Sequence, residues 1–192
     1  MLVREGAEHP NALRLAAGTL TLGEGFAFMS GLYFRGKLAY ATAFGRGADA
    51  PCSLVITPTR GLQRPDVIMT RDLVEEFAGL DVADNEPRYR DPLLVDARAL
   101  AARLPEGARV VLLGSVATSK YLDVLSEVLA DRLYFPSAFV GRGDMSRGAL
   151  MLRAAQDGVE LDYVALAPTV VRHGPRPPRL ARLKAGGRSR TE

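Results

Sequence analysis

The predicted fold rests on the stretch Arg109-Val-Val-Leu-Leu-Gly-Ser115. A short run of valines and leucines that ends at once in glycine and serine is typical of a buried strand and its closing turn. Residues 116–129 then carry apolar side chains at helical spacing. A strand, a turn and a helix in this order form the unit of an α/β fold.

Similar patterns predict further elements on both sides of this unit. Three more strands are predicted, at 53–57, 132–135 and 161–166. Helices are predicted at 33–44, 91–104, 116–129 and 148–155, with Asp91 as N-cap and Pro92 as the first helical residue of the second one. Thr70 is predicted to cap a further short helix or turn. Alternating strands and helices predict a three-layer α/β sandwich with a mainly parallel central sheet.

Length and charge predict one domain and a tail. The 192 residues suit a single α/β domain at 1–171. Between Arg172 and Arg190 there are seven arginines and lysines and no acid, so 172–192 is predicted to be a basic, disordered tail.

The composition argues against several classes of protein. One cysteine, Cys52, rules out a disulfide within the chain and favours a reduced, cytoplasmic compartment. The polar beginning of the sequence predicts no signal peptide, and no apolar run predicts a membrane span. The two histidines, His9 and His173, lie in peripheral segments, so neither a histidine triad nor a zinc site is predicted. No cofactor is predicted.

A ligand site is predicted where three loops follow strands, because parallel sheets bind ligands beyond the carboxyl ends of their strands. The first loop supplies Thr57, Thr59, Arg60 and Gly61. The second supplies Gly114, Ser115 and Ser119 at the start of a helix, where free N–H groups favour an anion. We expect the three loops to converge into one cationic pocket.

The third loop, Phe135–Gly148, is the richest in chemical groups. Its predicted ligand-binding residues are Ser137, Arg142, Gly143, Ser146 and Arg147. Glycines beside arginines allow close approach to a phosphate and bidentate hydrogen bonds. Asp144, or Asp66 after the first loop, is the candidate catalytic base.

Structural interpretations of these residues stand beside the functional ones. The glycines and hydroxyls also suit turns and helix caps, and the arginines suit surface ion pairs. On the predicted helix 33–44, Tyr33, Phe34, Arg35 and Lys37 could contact a nucleic acid, but aromatic residues at this spacing also form core.

Two segments, Val110-Val-Leu-Leu-Gly-Ser-Val-Ala117 and Tyr134-Phe-Pro-Ser-Ala138, resemble motifs of the uracil-DNA glycosylase superfamily. The resemblance covers about residues 50–150, and Phe135 stands where that family usually carries a histidine. It implies the glycosylase-like sandwich and a nucleobase or nucleic-acid ligand. The loop Gly141–Gly148 also resembles that of uncharacterised bacterial proteins.

Three functions follow as hypotheses. The first is a protein that binds nucleic acid or a nucleotide and hydrolyses an N-glycosidic bond in DNA or RNA base processing. The second is a non-catalytic binding or regulatory module that retains the fold. The third is a small-molecule enzyme that acts on a nucleotide or a sugar phosphate.

Overall fold

Helices dominate the structure, which is a computed structural model. It describes residues 2–3, 8–47, 53–81, 86–116, 119–166, 174–175, 177–178 and 180. Within these residues there are seven α-helices: α1 Pro10–Ala16, α2 Leu22–Met29, α3 Gly31–Phe44, α4 Arg71–Ala78, α5 Pro87–Arg103, α6 Ser119–Leu129 and α7 Asp144–Asp157. Cys52 and nearly all of the predicted basic tail, 172–192, lie outside the described residues.

The described strands are short and form two small sheets. They are β1 Val55–Ile56, β2 Leu62–Gln63, β3 Val110–Val111, β4 Leu133–Pro136 and β5 Tyr163–Ala165. β1 and β2 pair antiparallel, whereas the second sheet has the order β3-β4-β5. Within it, β3 and β4 run parallel and β4 and β5 antiparallel.

The predicted three-layer sandwich with a mainly parallel, glycosylase-like central sheet is therefore wrong. The turn after β1 is one physical reason. The Thr57 N–H and hydroxyl both donate to the Gly61 carbonyl oxygen, and the Arg60 N–H donates back to the Thr57 hydroxyl. Gly61 has a φ of +56°, which favours glycine. This tight turn returns the chain as the antiparallel strand β2 instead of sending it into a crossover helix.

Helix α5 begins earlier than predicted. Its N-cap is Glu86, whose carboxylate accepts from the Arg88 N–H, and Pro87 is the first helical residue. Pro92, predicted to occupy that position, instead lies inside the helix. Glu86-Pro87 and Asp91-Pro92 are both typical of a helix start, because in each an acidic residue precedes a proline. The helix begins at the first of them.

Helix α7 also begins earlier, which changes the third predicted loop. Residues 144–148 form the start of the helix, with Gly143 as N-cap. Gly148 lies against the backbone of α3: a Cβ added to it would be 2.7 Å from the Leu32 carbonyl oxygen. A Cβ added to Gly36 would be 2.5 Å from the Gly148 carbonyl oxygen. The two helices thus cross in backbone contact, and the glycine that suggested a loop is a packing residue.

Two apolar clusters form the core. The larger joins α3, α5, α6, α7 and the β3-β4-β5 sheet, with Leu93, Phe135, Phe139 and Met151 completely buried. The smaller joins α1, α2, α4 and β1, with Leu20, Leu22 and Met69 at its centre. The predicted helix 33–44 is confirmed as part of α3, and the Thr70 cap of α4 is confirmed by a 3.2 Å bond from the Leu73 N–H.

Candidate functional site

A cavity of about 720 Å³ lies between the two sheets. Residues of β1 and β3 line it from the sheets, and residues of α3, α5 and α6 line it from the helices. Most of the lining is aliphatic, which matches the usual composition of a small-molecule site. Four aromatic side chains also line it: Phe26, Phe34, Tyr89 and Tyr121.

The charged side chains of the cavity all carry the same sign. The described lining residues include five cations and no acid; the cations are Lys37, Arg46, Arg103, Arg109 and Lys120. Lys37 is half-buried, whereas the other four are exposed, so they lie at the mouth. Arg46 is 3.7 Å from Glu160, and the guanidinium of Arg109 lies over the Tyr134 ring. A single sign of charge around low-dielectric walls attracts anions.

Lys37 is the least exposed of the cations that line the cavity. Its Nζ lies 4.1 Å from the centre of the Tyr33 ring and 5.7 Å from that of Phe34. Burial lowers the pKa of Lys37 to about 8, with Arg147 acting in the same direction and Asp144 opposing. Near neutral pH the amine is therefore mostly charged but gives up its proton more readily than an exposed lysine.

The first predicted loop divides between two faces. Thr57 is buried and, with Pro58, lines the cavity. Thr59 and Arg60 turn instead toward α4: the Thr59 hydroxyl donates to Glu76, and Arg60 makes two hydrogen bonds of 2.7 and 2.5 Å to the same carboxylate. Arg60 therefore stabilises the turn against α4, and it is not among the described residues that line the cavity.

The Arg60–Glu76 contact predicts an acid-sensitive element of stability. The hydrogen bonds from Arg60 and then from Thr59 lower the pKa of Glu76 from 4.5 to about 2. A folded-state pKa below the unfolded value stabilises the protein above about pH 4.5, and this contribution disappears as the pH falls toward about 2. We expect Glu76→Gln to lower the Tm at pH 7 by about 2 °C, since the pair is largely exposed.

The difference between Glu76→Gln and wild type should shrink as the pH is lowered to 2, measured by circular dichroism. Glu75→Gln is the matched control, because Glu75 is 3.9 Å from Arg71 on the same helix and makes no comparable bidentate contact. An equal loss of Tm in both variants would contradict the assignment.

The second predicted loop does reach the cavity. Gly114 lines it, together with Lys120 and Tyr121 from the first turn of α6. The Tyr121 hydroxyl donates to the Ser115 carbonyl oxygen at 2.6 Å, and a Cβ on Gly114 would be equally close to that hydroxyl. Gly114 thus lets Tyr121 pack over the turn. Ser119 is the first residue of α6, and its side chain is outside the described part of the structure.

The residues of the third predicted loop bond mainly within their own segment. Arg142 donates to the Ala138 carbonyl oxygen at 2.9 Å and to the Ser146 hydroxyl at 3.2 Å. Ser137 donates to the Asp162 carbonyl oxygen. Gly143 caps α7, as described above. The Arg142–Ser146 bond joins α7 to the segment before it, and none of these residues is among the described lining of the cavity.

Arg147 is the exception in this loop, because it is buried at 6% exposure. Its Nε donates to the Phe139 carbonyl oxygen, and its guanidinium is 3.5 Å from Asp144. Arg147 also lies near Tyr33, whose pKa burial raises to about 12 against the opposing effect of Arg147. The Tyr33 hydroxyl donates to the carbonyl oxygen of Leu113, and Leu113 lines the cavity.

Neither predicted catalytic acid is among the described residues that line the cavity. Asp66 is exposed and pairs with Arg64 at 2.5 Å, which lowers the Asp66 pKa. Asp144 is exposed in the first turn of α7. The predicted site is therefore only partly assembled: Thr57 and Gly114 meet at the cavity, whereas Arg60 and Arg142 have partners elsewhere.

Arg46, Arg103 and Arg109 were missed as site residues, because each lies at or near the end of an element with no motif around it. Lys120 was missed although it directly follows the predicted residue Ser119. Lys37 was named only as a residue that could contact a nucleic acid, together with Tyr33, Phe34 and Arg35 on the same helix. In comparisons with family models, curated proteins and solved structures, nothing matched. Among the described residues no group of three histidines, cysteines or acids could hold a metal ion. No described helix has both the length and the apolar character for a membrane span.

Proposed function

We propose that this protein binds a nucleotide, with the base in the cavity and the phosphate at its basic mouth. The observation that carries this proposal is an aromatic and aliphatic cavity of about 720 Å³ whose described charged lining residues are all cations. The ligand class is the one that the sequence predicted, a nucleotide, but most of the residues that would contact it are different.

The interior suits a nucleobase. Phe26 and Phe34 lie 5.3 Å apart between ring centres and both line the cavity, as do Tyr89 and Tyr121. Stacking of a base on aromatic rings contributes about 1–3 kcal/mol per base. The Thr57 hydroxyl already donates a hydrogen bond within the turn. In this part of the site a base would therefore be bound by apolar contacts and not by hydrogen bonds.

The mouth suits a phosphate. Lys120 lies in the first turn of α6, where N–H groups without helical partners favour an anion. Arg103 and Arg109, which flank the loop between α5 and β3, add planar donors that match phosphate oxygens. Lys37 supplies a further cation from α3.

The dimensions favour a single nucleotide over a duplex. A cavity of this volume encloses a drug-sized molecule, whereas a duplex needs an extended basic surface. A base extruded from a single strand would also fit. Hydrolysis of an N-glycosidic bond remains a prediction, since neither Asp66 nor Asp144 is among the described residues that line the cavity. The cytoplasmic location also remains a prediction.

Ligand-induced thermal stabilisation tests the proposal. We expect mononucleotides to raise the Tm in a concentration-dependent way, and the matching nucleosides and inorganic phosphate each to raise it less, because each fills only half of the site. Calorimetry then gives the Kd. If inorganic phosphate alone raised the Tm as much as a mononucleotide does, the cavity would be a general anion site. If no mononucleotide raised the Tm, the proposal would be overturned.

A single-stranded oligonucleotide and a uracil-containing duplex complete the set. Tighter binding of the single strand than of mononucleotides would assign the cavity to an extruded base. Release of free base from either substrate, measured by chromatography, would show that the protein also hydrolyses the N-glycosidic bond.

A further inference from the structure

We propose that Lys37 is a nucleophilic lysine that forms an imine with the carbonyl group of an anionic aldehyde in the cavity. This inference uses the same cavity as the proposed function but does not depend on a nucleotide being the ligand. It assigns a reactive site, which binding alone would not require.

The position of Lys37 is the first argument. It lines the cavity from the middle of α3, half-buried, while the other cations of the lining are exposed at the mouth. An aldehyde whose anionic group is held by the exposed cations would therefore place its apolar body and its carbonyl toward Lys37. The chain contains only Lys37, Lys120 and Lys184, so the reactive amine can be identified without ambiguity.

The surroundings of Lys37 are the second argument. The charged and titratable groups that face it are Tyr33 on α3 and Asp144 and Arg147 on α7. Burial and Arg147 lower the pKa of Lys37 to about 8, although Asp144 acts in the opposite direction. At pH 7.5 more of this amine is therefore neutral than in an ordinary lysine, whose pKa is about 10.4. A desolvated lysine in an apolar pocket is an activated nucleophile.

The reaction needs no co-reactant. The neutral Nζ attacks the carbonyl carbon, a C–N bond forms as the C=O π bond breaks, and one proton passes from the nitrogen to the oxygen to give a carbinolamine. Loss of that oxygen as water, with a proton from the nitrogen, gives the C=N bond. The step is a condensation without redox change, and hydrolysis reverses it.

Borohydride trapping tests the inference on the full chain. Pyridoxal 5′-phosphate is the probe, because it combines an aldehyde, an aromatic ring and a phosphate; pyridoxal is the control without the phosphate. Hydride addition converts each imine to a stable secondary amine, and peptide mass spectrometry locates it. We expect at limiting probe at least tenfold more label on Lys37 than on Lys120, with less selectivity for pyridoxal.

The amino terminus is a second internal comparison, because its ordinary pKa is also near 8. Label spread evenly over Lys37, Lys120, Lys184 and the amino terminus would overturn the inference. In the wild-type protein, the ratio of label on Lys37 to label on the other amines decides this without any variant. The variant Lys37→Arg, checked for an unchanged Tm, should lose only the label on Lys37. Mononucleotides should protect Lys37 if the proposed function is correct. Selective labelling without such protection would refute nucleotide binding in the cavity and leave the reactive lysine established.

Discussion

Gly36→Ala should lower the free energy of unfolding by about 3 kcal/mol, at the upper end of the usual cost of overpacking. The added methyl group would be 2.5 Å from the Gly148 carbonyl oxygen and 2.9 Å from the Gly148 Cα. These are backbone atoms, so no side chain can rotate away, and α3 and α7 must separate. Alanine improves helix propensity by about 1 kcal/mol, but this gain is smaller than the steric cost. Urea unfolding followed by circular dichroism measures the difference.

Gly79→Ala is the matched control. Gly79 has helical φ and ψ of −78° and −3°, and the nearest atom to an added Cβ is 3.4 Å away, at ordinary contact distance. We expect a change within about 0.5 kcal/mol. A Gly36→Ala protein as stable as the Gly79→Ala protein would show that α3 and α7 do not cross in backbone contact.

Lys37→Met should weaken nucleotide binding about 100-fold at pH 7, because a charge-assisted hydrogen bond in a poorly solvated site contributes up to about 3 kcal/mol. Methionine keeps the length and the apolar part of the side chain, so the variant removes mainly the charge. Calorimetry on wild type and variant gives the ratio of Kd values. The control is Lys120→Met, for which solvent at the exposed mouth predicts a loss of about threefold. Equal losses would contradict a contact between Lys37 and the bound nucleotide inside the cavity.

The pH dependence of this affinity has a defined sign. Because the pKa of Lys37 is about 8, its charge decreases as the pH rises from 7 to 9, and the affinity for an anion should decrease with it. Lys37→Arg stays charged over this range, so its affinity should be nearly independent of pH. A wild-type affinity that is constant from pH 7 to 9 would contradict a contact between Lys37 and the bound nucleotide.

Local features were predicted well where neighbouring residues determine them. The helix at 33–44 and the cap at Thr70 follow from periodicity and side-chain chemistry within one turn. The start of α5 was misplaced because Glu86-Pro87 and Asp91-Pro92 carry equivalent signals, and only the wider context selects the first. The glycine at 148 was misinterpreted because its role is to contact Gly36, 112 residues earlier in the chain.

In the candidate site, too, features that depend on neighbouring residues were predicted, and contacts between distant residues were not. A turn of threonine, arginine and glycine after a strand could be recognised, but the partner of Arg60 is Glu76 on another helix, and the sequence does not encode that pairing locally. The convergence of strand-end loops was inferred from a parallel sheet. The hairpin β1-β2 replaces that arrangement at the first loop, where Thr57 reaches the cavity while Arg60 bonds to Glu76.

The apolar segments, the Thr70 cap and the turn at 57–61 could be inferred from the amino-acid sequence, since they depend on interactions between residues a few positions apart. The tertiary structure alone decided how the strands pair, that α3 crosses α7 at two glycines, and that five scattered cations surround one apolar cavity. Such contacts join residues far apart in the chain, and their free energy depends on shape and burial, which exist only after the chain has folded.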